Sequence, residues 1–176
     1  MPNWCEGKLK VRGKLEDIKR FLNEGINLYL PERKGVKTNN KGEVIAVRDE
    51  YVKAEKDPVE YTDWEIIGAK QLSDRECYVE DTMRAFIFYQ PEYWLYEYNV
   101  DDQYGLILDF KQAWAIRPEE LLEIAKKYSL DMKIFGIECG MEFAQDIVIV
   151  DGELKKNDSI RYDDWFWECP DPWCGG

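Results

Sequence analysis

The sequence of 176 residues contains no histidine. Histidine is the usual general base of Ser-His-Asp and Cys-His sites, and it is a frequent zinc ligand. Acid–base chemistry would therefore fall to carboxylates, tyrosine or lysine. Adjacent acids occur at Asp101-Asp102, Glu119-Glu120 and Asp163-Asp164, but nothing in their spacing marks a catalytic pair. We therefore expect a protein that is not an enzyme, and we predict no catalytic residues.

Glycine-rich phosphate motifs and long apolar runs are also missing. Neither G-x-G-x-x-G nor G-x-x-x-x-G-K-[ST] occurs, so the sequence offers no recognisable nucleotide cradle. No stretch approaches the roughly 20 apolar residues of a membrane-spanning helix, and the first residues do not resemble a signal peptide. We expect a cytoplasmic protein without a membrane partner.

Cysteine is sparse and scattered, at positions 5, 77, 139, 169 and 174. An odd number of thiols in a reducing compartment argues against a disulfide framework. Cys169 and Cys174 are the only close pair, and without histidine a zinc site would need other thiols or carboxylates as further ligands. Free thiols are the interpretation that we favour, and we predict no metal and no cofactor.

The charge is strongly one-sided, with 36 acids against 24 bases and a net charge of −12. Such a surface repels phosphate backbones and attracts basic partners. It also favours solubility, which is a sufficient explanation by itself. Nucleic-acid binding is therefore not the first expectation, and a basic protein partner is.

Periodicity predicts the regular elements at both ends of the chain. Residues 4–12 alternate apolar and charged side chains, which indicates a half-buried strand. Residues 14–23 have helical spacing, with Gly25 as the expected stop. Residues 118–128 have the strongest helical pattern, with Pro118 at the first position and the stripe Leu121, Ile124, Ala125 and Tyr128. Further strands are predicted over 104–114, 132–139 and 142–150, with a turn at Asp151-Gly152.

The middle of the chain has weaker patterns. Residues 31–43 are rich in turn formers and bases, which suits a solvated loop or a hairpin tip better than a phosphate contact. Residues 44–47, 64–68 and 76–80 are short strand candidates, and residues 48–63 are expected to be irregular. Residues 82–89 fit either a helix or a buried strand, and we favour the strand.

This order of elements predicts an α+β protein with one mostly antiparallel sheet and two helices on one face. We expect a single domain over residues 1–153, with an insertion at about 26–100. Residues 154–176 form an acidic, aromatic tail that packs on the domain or extends it. No interdomain linker and no internal repeat is apparent.

Several segments resemble one known family. Met1-Pro-Asn-Trp-Cys5 followed by a strand that ends at Gly13, and Phe110-x-x-Ala-Trp114, Pro118-Glu-Glu-Leu-Leu122 and Gly140-Met-Glu-Phe-Ala144, are similar to the YubB-type ferredoxin-like domain proteins. The similarity covers roughly residues 1–23 and 104–153. It implies a ferredoxin-like fold and an origin on plasmids, phages or other mobile elements. Glu6-Gly7 departs from the usual family residues, and the family implies no catalytic residues.

Two regions combine aromatic and acidic residues. Residues 85–110 contain five acids, six tyrosine or tryptophan residues and no base, and the tail repeats this chemistry. Tyr and Trp are common anchors in protein interfaces, and surrounding acids select a basic partner. The same aromatics could instead cover the open face of the sheet. The predicted interaction residues are Tyr93, Trp94, Tyr96, Glu97, Tyr98, Asp101, Asp102, Asp163, Asp164, Trp165 and Trp167.

These observations predict a non-enzymatic interaction module of a mobile genetic element. Its expected partner is a basic protein that handles nucleic acid, and inhibition of a host defence nuclease is the concrete form of this hypothesis. The alternative is a single-stranded nucleic-acid-binding module that stacks bases on aromatic side chains of the sheet. The net charge opposes that alternative.

Overall fold

The computed structural model describes residues 3–62, 64–97 and 102–176, together with their side chains except those of residues 33, 34, 36 and 45–49. Three α-helices are present in these ranges: α1 Leu15–Arg20, α2 Pro118–Tyr128 and α3 Trp165–Glu168. A π-helical turn, Phe21–Gly25, follows α1 directly. The strands in the same ranges are β1 Trp4–Lys14, β2 Ile26–Asn27, β3 Tyr29–Thr38, β4 Val44–Lys53, β5 Glu60–Tyr61, β6 Glu65–Ile67, β7 Arg75–Val79, β8 Ala85–Tyr89, β9 Glu92–Trp94, β10 Tyr96–Glu97, β11 Gln103–Ala113, β12 Asp131–Glu138, β13 Phe143–Val150 and β14 Glu153–Ile160.

One large antiparallel sheet organises the fold. Its strand order is β14-β13-β12-β1-β11-β8-β7-β2, and β10 adds a short pairing to β11. Two small sheets, β3-β4 and β5-β6-β9, are built from the middle of the chain. The prediction of an α+β protein with a mostly antiparallel sheet is therefore confirmed.

β1 is an inner strand of this sheet, and its side chains alternate between the two faces. Cys5, Leu9 and Val11 are fully buried on one face, and the charged residues between them point to the other face. β1 pairs with β11 along its whole length and with β12 on its other side. We call the second face, on the side opposite α1 and α2, the outer face of the sheet.

α2 spans the residues that its periodicity predicts. Pro118 begins the helix, where its missing N–H group costs nothing. Glu119 and Glu120 lie at the positive end of the helix dipole, and Ser129 ends the helix in the left-handed conformation with φ 56°. The four apolar residues of the predicted stripe are all buried.

α1 is shorter than the predicted helix, because the last turn widens. The helix stops at Arg20, and Phe21–Gly25 continues it as the π-helical turn. Gly25 ends this turn beside the Phe21 ring, where an added Cβ would lie 2.8 Å from a ring carbon. α1 contacts α2, and both helices bury apolar side chains in the core that β1 faces. The two helices therefore lie on one face of the large sheet.

The middle of the chain contains more strand than predicted. Residues 31–38, expected to be a loop or hairpin tip, belong to β3, and the expected irregular segment 48–63 is strand over 48–53 and 60–61. β3 and β4 are strands of ten residues each and form a hairpin with its turn at 39–43. The charged residues of β4 are consecutive at 48–50 and do not alternate with apolar residues, so periodicity gives no signal there. The segment 54–59 is irregular, as expected, and the strand favoured over 82–89 begins at Ala85.

The last segment first extends the sheet and then folds over it. β14 pairs with β13 at one edge of the sheet. α3 follows and buries Trp165 and Cys169 against Ile137 and Ala144. These two sheet residues face the outer side, so the tail covers part of the outer face. Within the described residues, no helix is long and apolar enough to cross a membrane.

Candidate functional site

The structure separates the two aromatic and acidic regions that the sequence singles out. Tyr96 pairs with Gly105, which lies opposite Arg12 of β1. At the other end of β1, the carbonyl of Trp4 accepts a hydrogen bond of 3.0 Å from the N–H group of Gly176. Eight residues of strand separate these positions, or roughly 26 Å. The predicted residues therefore form two surfaces rather than one.

The first surface, the strand patch, consists of Trp64, Trp94, Tyr96, Glu97 and Asp102. All five side chains are exposed, and Trp94 is 66% exposed. Trp64 and Trp94 are held close together because the N–H group of Leu95 donates to the carbonyl of Trp64 at 2.9 Å. The predicted residues Tyr98 and Asp101 lie outside the described part of the chain.

Tyr93 does not belong to the strand patch, although the sequence places it among the interaction residues. It is 2% exposed and packs edge-to-face on Tyr89, with ring centroids 5.6 Å apart. Its hydroxyl accepts a hydrogen bond from the N–H group of Gln90 at 2.9 Å. Burial raises the pKa of Tyr93. Neighbouring residues of a strand face opposite sides, so the burial of Tyr93 is what exposes Trp94.

The second surface, the tail patch, combines three exposed aromatics with four exposed acids. Trp167 is 86% exposed and Trp173 is 78% exposed. The rings of Phe166 and Trp173 lie 5.3 Å apart, which gives one continuous apolar surface. The members of the tail patch are Asp163, Asp164, Phe166, Trp167, Glu168, Asp171 and Trp173.

Two acids of the tail patch fix the short helix α3. Oδ1 of Asp164 accepts a hydrogen bond from the N–H group of Trp167 at 3.3 Å. The carboxylate of Glu168 accepts from the N–H groups of Asp163 at 3.0 Å and Asp164 at 3.4 Å. This reciprocal arrangement resembles a capping box, with the second acid at the fourth helical position instead of the third, and it satisfies free donors at the start of the helix. The acids therefore position the aromatic residues as well as charge the surface.

Trp165 anchors the tail patch and is not available to a partner. It is buried beside Ile137 and Ala144, and its indole N–H group donates to the carbonyl of Pro172 at 3.1 Å. The prediction that Trp165 is an interaction residue is therefore corrected to a packing role. Its burial turns the next two aromatics of α3 outward.

The cysteines near the tail are free thiols in this structure. Sγ of Cys139 donates to the carbonyl of Gly175 at 2.9 Å, and Sγ of Cys174 donates to that of Glu6 at 3.8 Å. Burial is the main cause that raises the pKa of Cys174 to about 11, and it raises the pKa of Cys5 to about 12. Thiolate chemistry is therefore suppressed at both positions near neutral pH. In the described ranges, no three His, Cys, Asp or Glu side chains are grouped so that they could hold a metal ion.

Buried polar side chains, which the sequence pattern does not mark, hold the loop between β11 and α2. Oε1 of Gln145 accepts from the N–H group of Ile116 at 2.8 Å, and its amide donates back to the carbonyl of Ile116 at 3.1 Å. Oε1 of Gln112 accepts from the N–H group of Arg117 at 2.9 Å. These contacts satisfy buried backbone groups and position α2, which is a structural role.

The outer face of the sheet contains a groove that was also missed. The groove encloses about 530 Å³, and its lining includes four lysines and the rings of Phe88 and Phe135. The lysines are Lys8, Lys10, Lys111 and Lys133. The sequence predicts the charged side of β1. It does not predict that Lys133 lies beside it, because that depends on a pairing between residues more than 120 positions apart.

Comparisons with protein-family models, with curated proteins and with solved structures found no match for this chain.

Proposed function

We propose that this protein is a non-enzymatic interaction module of a mobile genetic element, and that the tail patch binds a basic protein that handles nucleic acid. The observation that supports this proposal best is the exposure of Trp167 and Trp173 among four exposed acids. The partner would present an apolar pocket surrounded by lysine or arginine. In its concrete form, the proposal is that the protein inhibits a host defence nuclease. The protein would act in the cytoplasm.

The chemistry of the tail patch supports a protein partner. Tryptophan contributes large contact area with few rotatable bonds, and it is frequent among residues that dominate binding energy. The acids around it favour a basic partner and accelerate encounter at low ionic strength. Because Trp165 and the capping contacts of Asp164 and Glu168 hold α3, the binding surface loses little conformational entropy when a partner binds.

We also propose that the core is ferredoxin-like, as the resemblance to the YubB-type family implies. The strand order β12-β1-β11-β8 supports this proposal. In chain order, α1 follows β1, and α2 connects β11 to β12. The strands between α1 and β8 are then an insertion. The mobile-element origin rests on the same resemblance, and the non-enzymatic role is supported by the absence of histidine and of any recognised catalytic motif.

The second candidate function is binding of single-stranded nucleic acid on the outer face of the sheet. The exposed ring of Phe88 and the half-buried ring of Phe135 favour it, because aromatic side chains on a sheet can stack bases. Acids on the same face oppose it, and so does the net charge of −12.

Affinity capture from host lysate tests the first proposal. The bait is the full chain, and the lysate is treated with nuclease so that bridging nucleic acid is destroyed. We expect a basic protein that Trp167→Ala no longer retains and that Tyr51→Ala still retains, because Tyr51 is an exposed aromatic outside both patches. The captured protein is then purified and its affinity for the bait is measured directly. Capture that disappears with nuclease, or that is insensitive to Trp167→Ala, contradicts the proposal.

A further inference from the structure

The groove on the outer face lies between aromatic walls and is crossed by charged side chains. Lys8 of β1 is paired in register with Asp109 of β11, which in turn is paired with Phe88 of β8. Phe135 lies on β12, on the other side of β1, and its ring lines the same groove. The volume of about 530 Å³ is within the range of sites that take small molecules.

Most cations of the outer face have an acid partner. Lys8 forms an ion pair with Asp109, and Lys111 forms one with Glu76. Arg12 pairs with Asp131 at 2.5 Å. These cations are therefore compensated within the protein itself.

Lys10 and Lys133 differ from these paired cations. They are directly opposite each other on β1 and β12, and both side chains are exposed. Among the residues that the structure describes, neither lysine has an acid within 4.0 Å. Like charges directly opposite each other on neighbouring strands destabilise a sheet. An anion bound between the two ammonium groups would remove this repulsion.

An aromatic ring lies next to this lysine pair. Phe135 follows Lys133 by two residues on the same face of β12, so the two side chains start roughly 6.6 Å apart. A nucleoside monophosphate spans a similar distance between its phosphate and its base. A phosphate held by Lys10 and Lys133 would therefore place an attached ring over Phe135, where it can stack.

We propose that this groove binds a small ligand in which a planar aromatic ring carries an anionic group, as in a free nucleoside monophosphate. The groove adjoins the tail patch at Asp171, which belongs to both, and the proposed binding needs no catalytic group. Acids on the tail side of the groove limit the length of the ligand, because Glu6 and Asp171 line it there. A longer polyanion would bring further phosphates toward these carboxylates, which repel them.

Titration of ¹⁵N-labelled full-length protein with AMP, followed by amide chemical shifts, tests the proposal. We expect saturable shifts in β1 and β12 around Lys10 and Lys133, with a Kd in the range of about 0.1–1 mM. AMP should bind more tightly than either adenosine or inorganic phosphate, because only AMP supplies both the ring and the anion. The variant with both Lys10→Gln and Lys133→Gln should raise the Kd at least about tenfold.

Two further variants complete the experiment. Phe135→Ala should raise the Kd for AMP about fivefold or more, but leave the weak binding of inorganic phosphate unchanged. Phe135 also packs against the cluster around Trp165. The melting midpoint of the Phe135→Ala variant is therefore measured as well, so that a loss of stability is not mistaken for a loss of binding. The double lysine variant changes only exposed side chains. Lys155→Gln, on the edge strand β14 and outside the groove, is the matched control and should bind AMP like the unaltered protein.

Three results would overturn the proposal. One is the absence of shifts up to about 10 mM AMP, a concentration at which even weak sites fill. Another is equal affinity for inorganic phosphate and AMP, which would show that the ring contributes nothing. The third is much tighter binding of a ten-nucleotide single strand than of AMP, which would favour the second candidate function instead.

Discussion

The carboxylate of Glu138 accepts a hydrogen bond of 2.6 Å from the backbone N–H group of Met141, although the Glu138 side chain is fully buried. A second hydrogen bond, of 2.8 Å, comes from the N–H group of Gly140. The two contacts close the turn between β12 and β13. They explain why a charged residue is found inside the protein: its charge is solvated by backbone dipoles instead of water.

Replacing Glu138 by Gln should therefore lower the free energy of unfolding by about 1.5–3 kcal/mol. The amide offers one acceptor in place of two and turns an N–H donor toward a backbone donor. Urea unfolding at neutral pH measures the difference. Glu142→Gln is the control, because Glu142 is exposed in the same turn and should change stability by less than about 0.5 kcal/mol. Equal effects of the two changes would contradict this role for Glu138.

Leu121→Ala should lower the free energy of unfolding by about 2–5 kcal/mol, because it leaves a cavity between α2 and the sheet. Leu121 is 1% exposed and belongs to the core that β1 faces. Thermal and urea unfolding measure the loss. Glu123→Ala on the exposed side of α2 should have little effect, since its ion pair with Lys126 is at the surface. An unchanged melting midpoint for Leu121→Ala would reject the proposed packing.

Charge and aromatic changes in the tail patch should affect different rate constants. Asp163→Lys combined with Asp171→Lys should slow association with the basic partner, and the difference should shrink as salt rises above about 0.15 M. Trp167→Ala should mainly accelerate dissociation, because it removes contact area. Surface plasmon resonance with the purified partner separates the two effects. Glu97→Lys combined with Asp102→Lys alters the distant strand patch and should leave both rate constants nearly unchanged.

The surroundings of Lys56 should make the stability of the protein depend on pH. Its ammonium group donates to the carbonyl of Leu22 at 3.1 Å and to that of Ile26, at the end of the π-helical turn. Burial, with a smaller effect from Lys53, lowers the pKa of Lys56 from 10.5 to about 8. Between about pH 8 and 10.5, the unfolded chain therefore binds more protons at this residue than the folded protein does. The contribution of Lys56 to stability should rise with pH across this interval.

The comparison with Lys56→Met isolates this effect, because other groups that titrate at alkaline pH are common to both proteins. The free energy of unfolding of the unaltered protein minus that of the variant should increase between pH 8 and 10.5, and should be constant between pH 6 and 7.5. Lys155→Met serves as the exposed control. A difference that stays flat or declines above pH 8 would exclude a depressed pKa for Lys56.

The sequence predicts the elements whose periodicity is strong and whose ends have clear signals. α2 is an example, because Pro118, the two acids after it and a continuous apolar stripe agree on one span. β1 is another, since every second residue is apolar. The π-helical turn was not predicted, because residues 21–25 continue the helical spacing of α1 and the sequence contains no signal for a wider turn.

The sequence predicts which types of residue form the candidate surfaces, but not which of these residues are exposed. Whether Tyr93 or Trp94 faces the solvent depends on how β9 pairs with β6, and a three-residue strand has too little pattern to fix that choice. The groove depends on Lys10 and Lys133 being opposite each other, which is a property of long-range pairing. Composition also could not separate the buried Trp165 from the exposed Trp167, because a single helical turn has no measurable period.

The hydrogen bond from the N–H group of Gly176 to the carbonyl of Trp4 fastens the segment after α3 to β1. An amide that donates to a fixed partner exchanges its hydrogen with solvent only when that contact opens. The exchange rate of the Gly176 amide therefore reports how often the segment that carries the tail patch detaches from the sheet.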